Sequence, residues 1–373
     1  MGTSEVSDVA GDGGYDRRQF LGLAAGAVVA TQLGMPGRAD AAVGDPAATA
    51  TATATTAAAR AVAAEPEPGA EPGTGASFGA VRQINAGELN VGYVEAGPRD
   101  GPAVILMHGF PYGIHSYVEV APLLAAEGYR VVVPYFRGHG TTRFRSDATD
   151  RNAEQAVFAL DILALMDALR IRTAILAGYD WGSRTGDIIA ALWPRRCRAL
   201  VSVTGYLISN VAANKLPLPP MSEWAWWYQY YFATERGVLG LEEYRHDLAE
   251  LIWKFNSPTW QFDEATFTRT AAAFDNPDYV SIVIGNYRWR LGLAPGDPRY
   301  ADLEKQLFTG PMITVPTIAI DGAADPFTPA GDGAAYRGKF AGKYAHRVVQ
   351  VGHNVPQETP REFAQAVIDA DRL

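Results

Sequence analysis

Gly178-Tyr179-Asp180-Trp181-Gly182 follows an apolar run, Thr173–Ala177, and precedes a stretch of helical periodicity that ends near Trp193-Pro194. A buried strand, a five-residue turn and a helix therefore stand in direct succession. Glycines on both sides of Asp180 suit a turn so sharp that backbone atoms come too close for side chains. A residue at the centre of such an elbow is lifted off the end of its strand. An ordinary strand-to-helix turn with an N-capping aspartate would give a similar pattern, so the rest of the chain has to decide.

Working outward, Val81–Ile84 and Leu89–Glu95 flank Asn85-Ala86-Gly87-Glu88 and predict a hairpin. Short apolar runs bounded by glycine or proline follow at Ala103–Met107, Arg130–Val133, Ala199–Val203, Thr317–Ile320 and His346–Val351. They lack polar alternation, which predicts strands covered on both faces, as in a parallel sheet. Helical patterns such as Ala153–Leu169 lie between them, so the fold class is α/β, a mostly parallel sheet with helices on both faces. The alternation stops from Tyr206 to about Pro295, a Trp- and Tyr-rich stretch that reads as helical. It predicts a helical cap inserted between two parts of the core, 77–205 and 296–373.

Further motifs stand at the ends of the predicted strands. His108-Gly109-Phe110-Pro111 follows Ala103–Met107, Asp321-Gly322-Ala323-Ala324-Asp325 follows Thr317–Ile320, and Gly352-His353-Asn354 follows His346–Val351. Together with the elbow these resemble the α/β hydrolases, in which nucleophile, acid and histidine come in that chain order. The resemblance implies a triad of Asp180, Asp325 and His353, with Asp321 left as a turn residue. It also implies an oxyanion hole made of the Phe110 and Trp181 backbone N–H groups.

An aspartate at the elbow changes the chemistry. A carboxylate is ionised near neutral pH without help from a base, its ordinary pKa being about 3.9. It suits displacement at a saturated carbon and is a poor choice for attack on an acyl carbon, which would give a labile anhydride. Displacement leaves an ester on Asp180. His353, oriented by Asp325, would then activate water against that ester, and the oxyanion hole would serve this second step. The first leaving group is a halide or the oxygen of a strained epoxide.

From about Ala80 onward the chain is similar to the epoxide-hydrolase and haloalkane-dehalogenase branch of that superfamily. The matching pieces are His108–Pro111, Arg137-Gly138-His139-Gly140, Gly178–Gly182, Gly322–Asp325 and Gly352-His353. Soluble epoxide hydrolases carry a cap tyrosine in the context Y-Q-x-Y-F, and this chain has Tyr228-Gln229-Tyr230-Tyr231-Phe232. Their second cap tyrosine stands in N-W-Y-R, against Asn286-Tyr287-Arg288 here, one residue shorter. The resemblance therefore implies that Tyr228 and Tyr287 donate to the opening epoxide oxygen, although packing would explain most tyrosines in so aromatic a segment. Haloalkane dehalogenase is the alternative. Trp181 could donate to a halide, Phe110 cannot from its side chain, and Trp224, Trp226 or Trp227 would have to supply the second donor. A non-catalytic small-molecule-binding relative is a third reading, one with no need of Asp325 and His353 together.

Composition bounds the rest. The net charge of −9 argues against a nucleic-acid partner, and the one cysteine, Cys197, excludes an intrachain disulfide. No metal or cofactor is expected; the substrate should be a small apolar organic molecule. At the N-terminus, Arg17-Arg18-Gln19-Phe20-Leu21, a weakly apolar run to Leu33 and Ala39-Asp40-Ala41 resemble a twin-arginine signal over 1–41. It implies export machinery as a partner of the precursor and a secreted or periplasmic protein without a membrane span. Residues 42–76 are Ala-, Thr-, Pro-, Glu- and Gly-rich and are expected to be a disordered linker.

Overall fold

A computed structural model of the chain describes residues 78–327 and 330–373. The expected signal and linker, 1–41 and 42–76, lie outside the described residues. The chain opens with a hairpin, β1 (Arg82–Ala86) and β2 (Leu89–Ala96), followed by β3 (Ala103–Met107), helix α1 (Val120–Ala126) and β4 (Arg130–Pro134). A two-residue β5 (Arg143–Phe144), α2 (Gln155–Ala168), β6 (Ala174–Gly178), α3 (Trp181–Leu192) and β7 (Cys197–Val203) complete the first half. Six helices come next: α4 (Pro220–Ala225), α5 (Trp227–Ala233), α6 (Glu235–Glu243), α7 (Arg245–Asn256), α8 (Glu264–Ala271) and α9 (Tyr279–Arg290). Then α10 (Ala301–Phe308), β8 (Thr317–Gly322), α11 (Ala334–Arg337), β9 (Tyr344–Val349), α12 (Val355–Glu358) and α13 (Pro360–Arg372) close the chain.

The strands form one sheet in the order β1-β2-β4-β3-β6-β7-β8-β9, with β5 paired to β2. Pairing is antiparallel around β2 and parallel from β4 to β9. This is the mostly parallel sheet that the sequence predicts. β6 and β8 are buried at every residue, because helices cover both faces and the strands have neighbours on both sides. The expectation of fully covered strands fails at β9, whose residues are only half-buried, with Val348 exposed. β9 is the edge of the sheet and has a neighbour on one side alone.

Two local expectations need correction. Asp321 is a strand residue paired with Val348, not a turn residue, and its carboxylate accepts from Tyr336 Oη at 2.8 Å and lies 2.9 Å from His346 Nε2. The last strand is Tyr344–Val349 rather than His346–Val351; Val351 has left the ladder, and its carbonyl accepts from Ala324 N–H at 3.0 Å. In both cases partners on neighbouring elements decide what an apolar run by itself does not. Among the described residues no helix is long and apolar enough to cross a membrane.

Candidate active site

The C-terminal ends of β3, β6, β8 and β9 open on one side of the sheet, where ligands of open α/β sheets collect. Asp180 sits between β6 and α3 at φ 52° and ψ −120°, a strained conformation for a residue with a side chain. The flanking glycines have a steric reason. A Cβ on Gly178 would fall 2.5 Å from the Gly182 carbonyl carbon, and one on Gly182 would enter the Met107 carbonyl group. The turn is thus compressed against β3, and the strain at Asp180 is held by backbone that has no room to relax.

Around this carboxylate the structure gathers the other candidate residues. Phe110 N–H donates to Asp180 Oδ1 at 2.8 Å. Asp180 Oδ2 faces His353 Nε2 at 3.7 Å, and the other ring nitrogen, Nδ1, lies 2.7 Å from Asp325 Oδ2. Asp180, Asp325 and His353 are all buried. Trp181 is the first residue of α3, so its N–H has no intrahelical acceptor and points with the helix dipole toward the elbow. Burial works against the charge on Asp180, but the hydrogen bond and charge of His353, the charge of Arg184 and the Phe110 N–H hold its pKa below the ordinary range. Burial likewise opposes the charge on His353, yet Asp325 and Asp180 raise its pKa to about 10.

Tyr228 on α5 and Tyr287 on α9 complete the enclosure. Both are buried, and their rings meet edge-on at 5.4 Å. Each also packs on the ring of Phe110, at 5.9 Å and 5.3 Å, the residue whose N–H binds Asp180. Among the described residues Tyr287 Oη is buried and makes no close hydrogen bond; the Tyr228 hydroxyl is the side chain that pairs with it more loosely. Burial raises both phenols, Tyr287 to above the ordinary tyrosine range, and the charge of Asp180 acts on each in the same direction. The two hydroxyls are therefore neutral donors beside a carboxylate.

The family model of the alpha/beta hydrolase fold matches residues 102–360, most of the chain. The chain belongs to that family. A solved structure from Klebsiella pneumoniae, described as a proposed epoxide hydrolase, is 57% identical to this hydrolase. It covers 80% of this chain and 100% of its own, with a TM-score of 0.78. Epoxide hydrolase B of Mycobacterium tuberculosis is 25% identical over 357 residues, which is 77% of this chain and 97% of its own. Haloalkane dehalogenase of Mycobacterium marinum is 34% identical over 129 residues, covering 34% of this chain and 42% of its own.

Several residues of the hydrolase site carry no motif. Glu358 is buried and accepts from Gly352 N–H at 2.8 Å, Asn354 N–H at 3.0 Å and Ser257 Oγ at 2.6 Å. His353 N–H donates to the Asn256 carbonyl at 3.0 Å, so α7 and Glu358 together fix the loop that presents the imidazole. The Phe327 ring packs against His353 at 5.1 Å, and its N–H donates to Asp325 Oδ1 at 2.9 Å. Two further cations, Arg184 and Arg290, are buried in the same region. Nothing in the sequence marks them, since an arginine on an amphipathic helix ordinarily reads as part of its solvated face.

Proposed function

We propose that this hydrolase opens an epoxide to a vicinal diol through a covalent ester on Asp180. The observation that carries the reading is the pair of buried phenols, Tyr228 and Tyr287, beside the nucleophile. Asp180 Oδ2, the oxygen not engaged by Phe110 N–H, attacks a ring carbon. A C–O bond to Oδ2 forms, the ring C–O bond breaks, and its electron pair goes to the ring oxygen. That oxygen takes a hydrogen bond and then a proton from a phenol. Removing the negative charge of Asp180 in the ester takes away one of the two carboxylates that raise His353, so its pKa falls and it can act as a base. His353 then accepts a proton from water as the water oxygen attacks Cγ of Asp180. Charge collects on Oδ1, against the Phe110 and Trp181 N–H groups, before the Cγ–Oδ2 bond breaks. Its electron pair goes to the diol oxygen, which takes the proton held by His353, and the second water proton, leaving Asp180 as it ionises, restores the phenol.

A second reading has one observation in its favour. Among the described residues Trp181 Nε1 is buried without a hydrogen-bond partner, as a halide donor would be. A halide needs no proton to leave, however, and the phenols would then have no task. Tyr228→Phe and Tyr287→Phe remove only the hydroxyls, and each should lower epoxide turnover by ~10²–10³, the usual cost of losing one preorganised donor. Hydrolysis of a preformed ester should be unaffected. A double variant that keeps parental activity on epoxides, while Trp181→Phe abolishes turnover of 1-haloalkanes, would overturn the reading in favour of dehalogenation.

A further inference from the structure

Two buried cations near Asp180, Arg184 and Arg290, make no direct ion pair among the described residues, although the charge of Asp180 acts on Arg184. Arg184 follows Asp180 by four residues in α3, a distance of about 6 Å along a helix, and its backbone N–H donates to the Asp180 carbonyl. Its side chain is buried, and the Nε–H donates to a neutral acceptor, the Leu207 carbonyl oxygen, at 3.0 Å. Arg290 is the last residue of α9. Its guanidinium carbon lies 5.3 Å from the centre of the Trp226 ring and 5.6 Å from that of Tyr287. Arg290 is also buried, and among the described residues neither its Nε nor its Nη1 has a hydrogen-bond partner. The two charges feel each other: after burial, Arg290 is the main influence that lowers Arg184, to about 10.

The neighbouring carboxyl groups do not resolve this. Burial pushes Asp187 up to about 8, which leaves it largely neutral at pH 7, and its Oδ1 is itself unpaired. Asp180 is held by Phe110 N–H and faces His353, and it loses its charge once esterified. Structural duties explain part of Arg290. A cation suits a helix C-terminus, its stem can pack on apolar surface, and its face can stack on aromatic rings. None of these duties supplies an acceptor for buried N–H groups, and buried donors left unmet are costly.

We propose that Arg184 and Arg290 bind a carboxylate carried by the substrate, so that this enzyme takes anionic epoxides. The inference rests on the epoxide reading of the site and revises the expectation of a wholly apolar substrate. Tyr287 lies between the two functions, its ring under the Arg290 guanidinium and its hydroxyl within the influence of the Asp180 carboxylate. Together with the single helical turn between Asp180 and Arg184, this places the carboxylate within a few bonds of the reacting carbon. The substrate class is therefore a short epoxy acid of the glycidate type.

The test compares 3-phenylglycidate with its neutral amide, using styrene oxide as a third substrate, on the purified protein. Hydrogen bonds to charged groups are worth enough to predict that kcat/KM for the acid exceeds that for the amide by about 30-fold. In Arg290→Met the ratio of acid to amide should collapse toward one, and Arg290→Lys should restore part of it. A wild-type enzyme that turns over styrene oxide or the amide at least as well as the acid overturns the inference and leaves the epoxide reading standing. If no epoxide is turned over, the epoxide reading fails, and titration calorimetry with unreactive 3-phenylpropionate and its amide decides the carboxylate site separately. Binding of the acid about 30-fold tighter than the amide supports the site; equal or absent binding of the acid overturns it.

Discussion

The imidazole of His353 stands between two carboxylates, 2.7 Å from Asp325 and 3.7 Å from Asp180, and this position sets how the protein should respond to pH. Its pKa in the fold is about 10, against an ordinary 6.5. A group whose folded pKa is raised contributes stability in full below its unfolded pKa and loses it as pH rises through the folded value. The stabilisation from His353 is thus complete below pH 6.5 and is lost between pH 6.5 and about 10. The thermal midpoint of the wild type should exceed that of His353→Gln most at the acid end of this window, and the gap should narrow toward the alkaline end. A gap that stays constant or widens would contradict the charge pairing. The meeting of Asp180, Asp325 and His353 at strand ends was legible in the sequence, because strand–loop boundaries leave glycine and polar punctuation. Arg184 and Arg290 were not, since only the packed fold shows that their helix faces point inward.

At the scale of elements, the loop between β9 and α12 is held by a single carboxylate. Glu358 accepts two backbone N–H groups and the Ser257 hydroxyl, tying α12 to the end of α7. Glu358→Ala leaves those buried donors without an acceptor, each worth about 1–3 kcal/mol. Chemical denaturation should therefore show a loss of at least about 2 kcal/mol, and kcat should fall as the imidazole loses its fixed position. Glu362→Ala, an exposed change on α13, should stay within about 0.5 kcal/mol. Equal effects of the two would remove Glu358 from its positioning role. The elements themselves were largely legible, since buried parallel strands such as β6 and β8 are short apolar runs. Limits were misread where the pattern is ambiguous. Asp321 looks like a turn former, yet it stays in β8 because Tyr336 and His346 satisfy its carboxylate. β9 was read two residues late and as fully covered, because an edge strand has a weak apolar signature.

Across the whole molecule, an α/β hydrolase carries its chemistry at the carboxyl ends of a sheet that the alternation of apolar runs already specified. Before that domain stand Arg17 and Arg18, outside the described residues. We propose that this pair directs export by the twin-arginine route. Replacing both with lysine should leave active precursor in the cytoplasm, measured by activity in separated fractions; undiminished export would remove the proposal. The central claim concerns where the oxygen of water goes. With enzyme in excess over an epoxide in H₂¹⁸O, a single turnover should place the label in the carboxylate of the peptide that contains Asp180 and leave the released diol unlabelled. Label in the diol, with none in that peptide, would mean direct attack by water and would contradict the covalent ester.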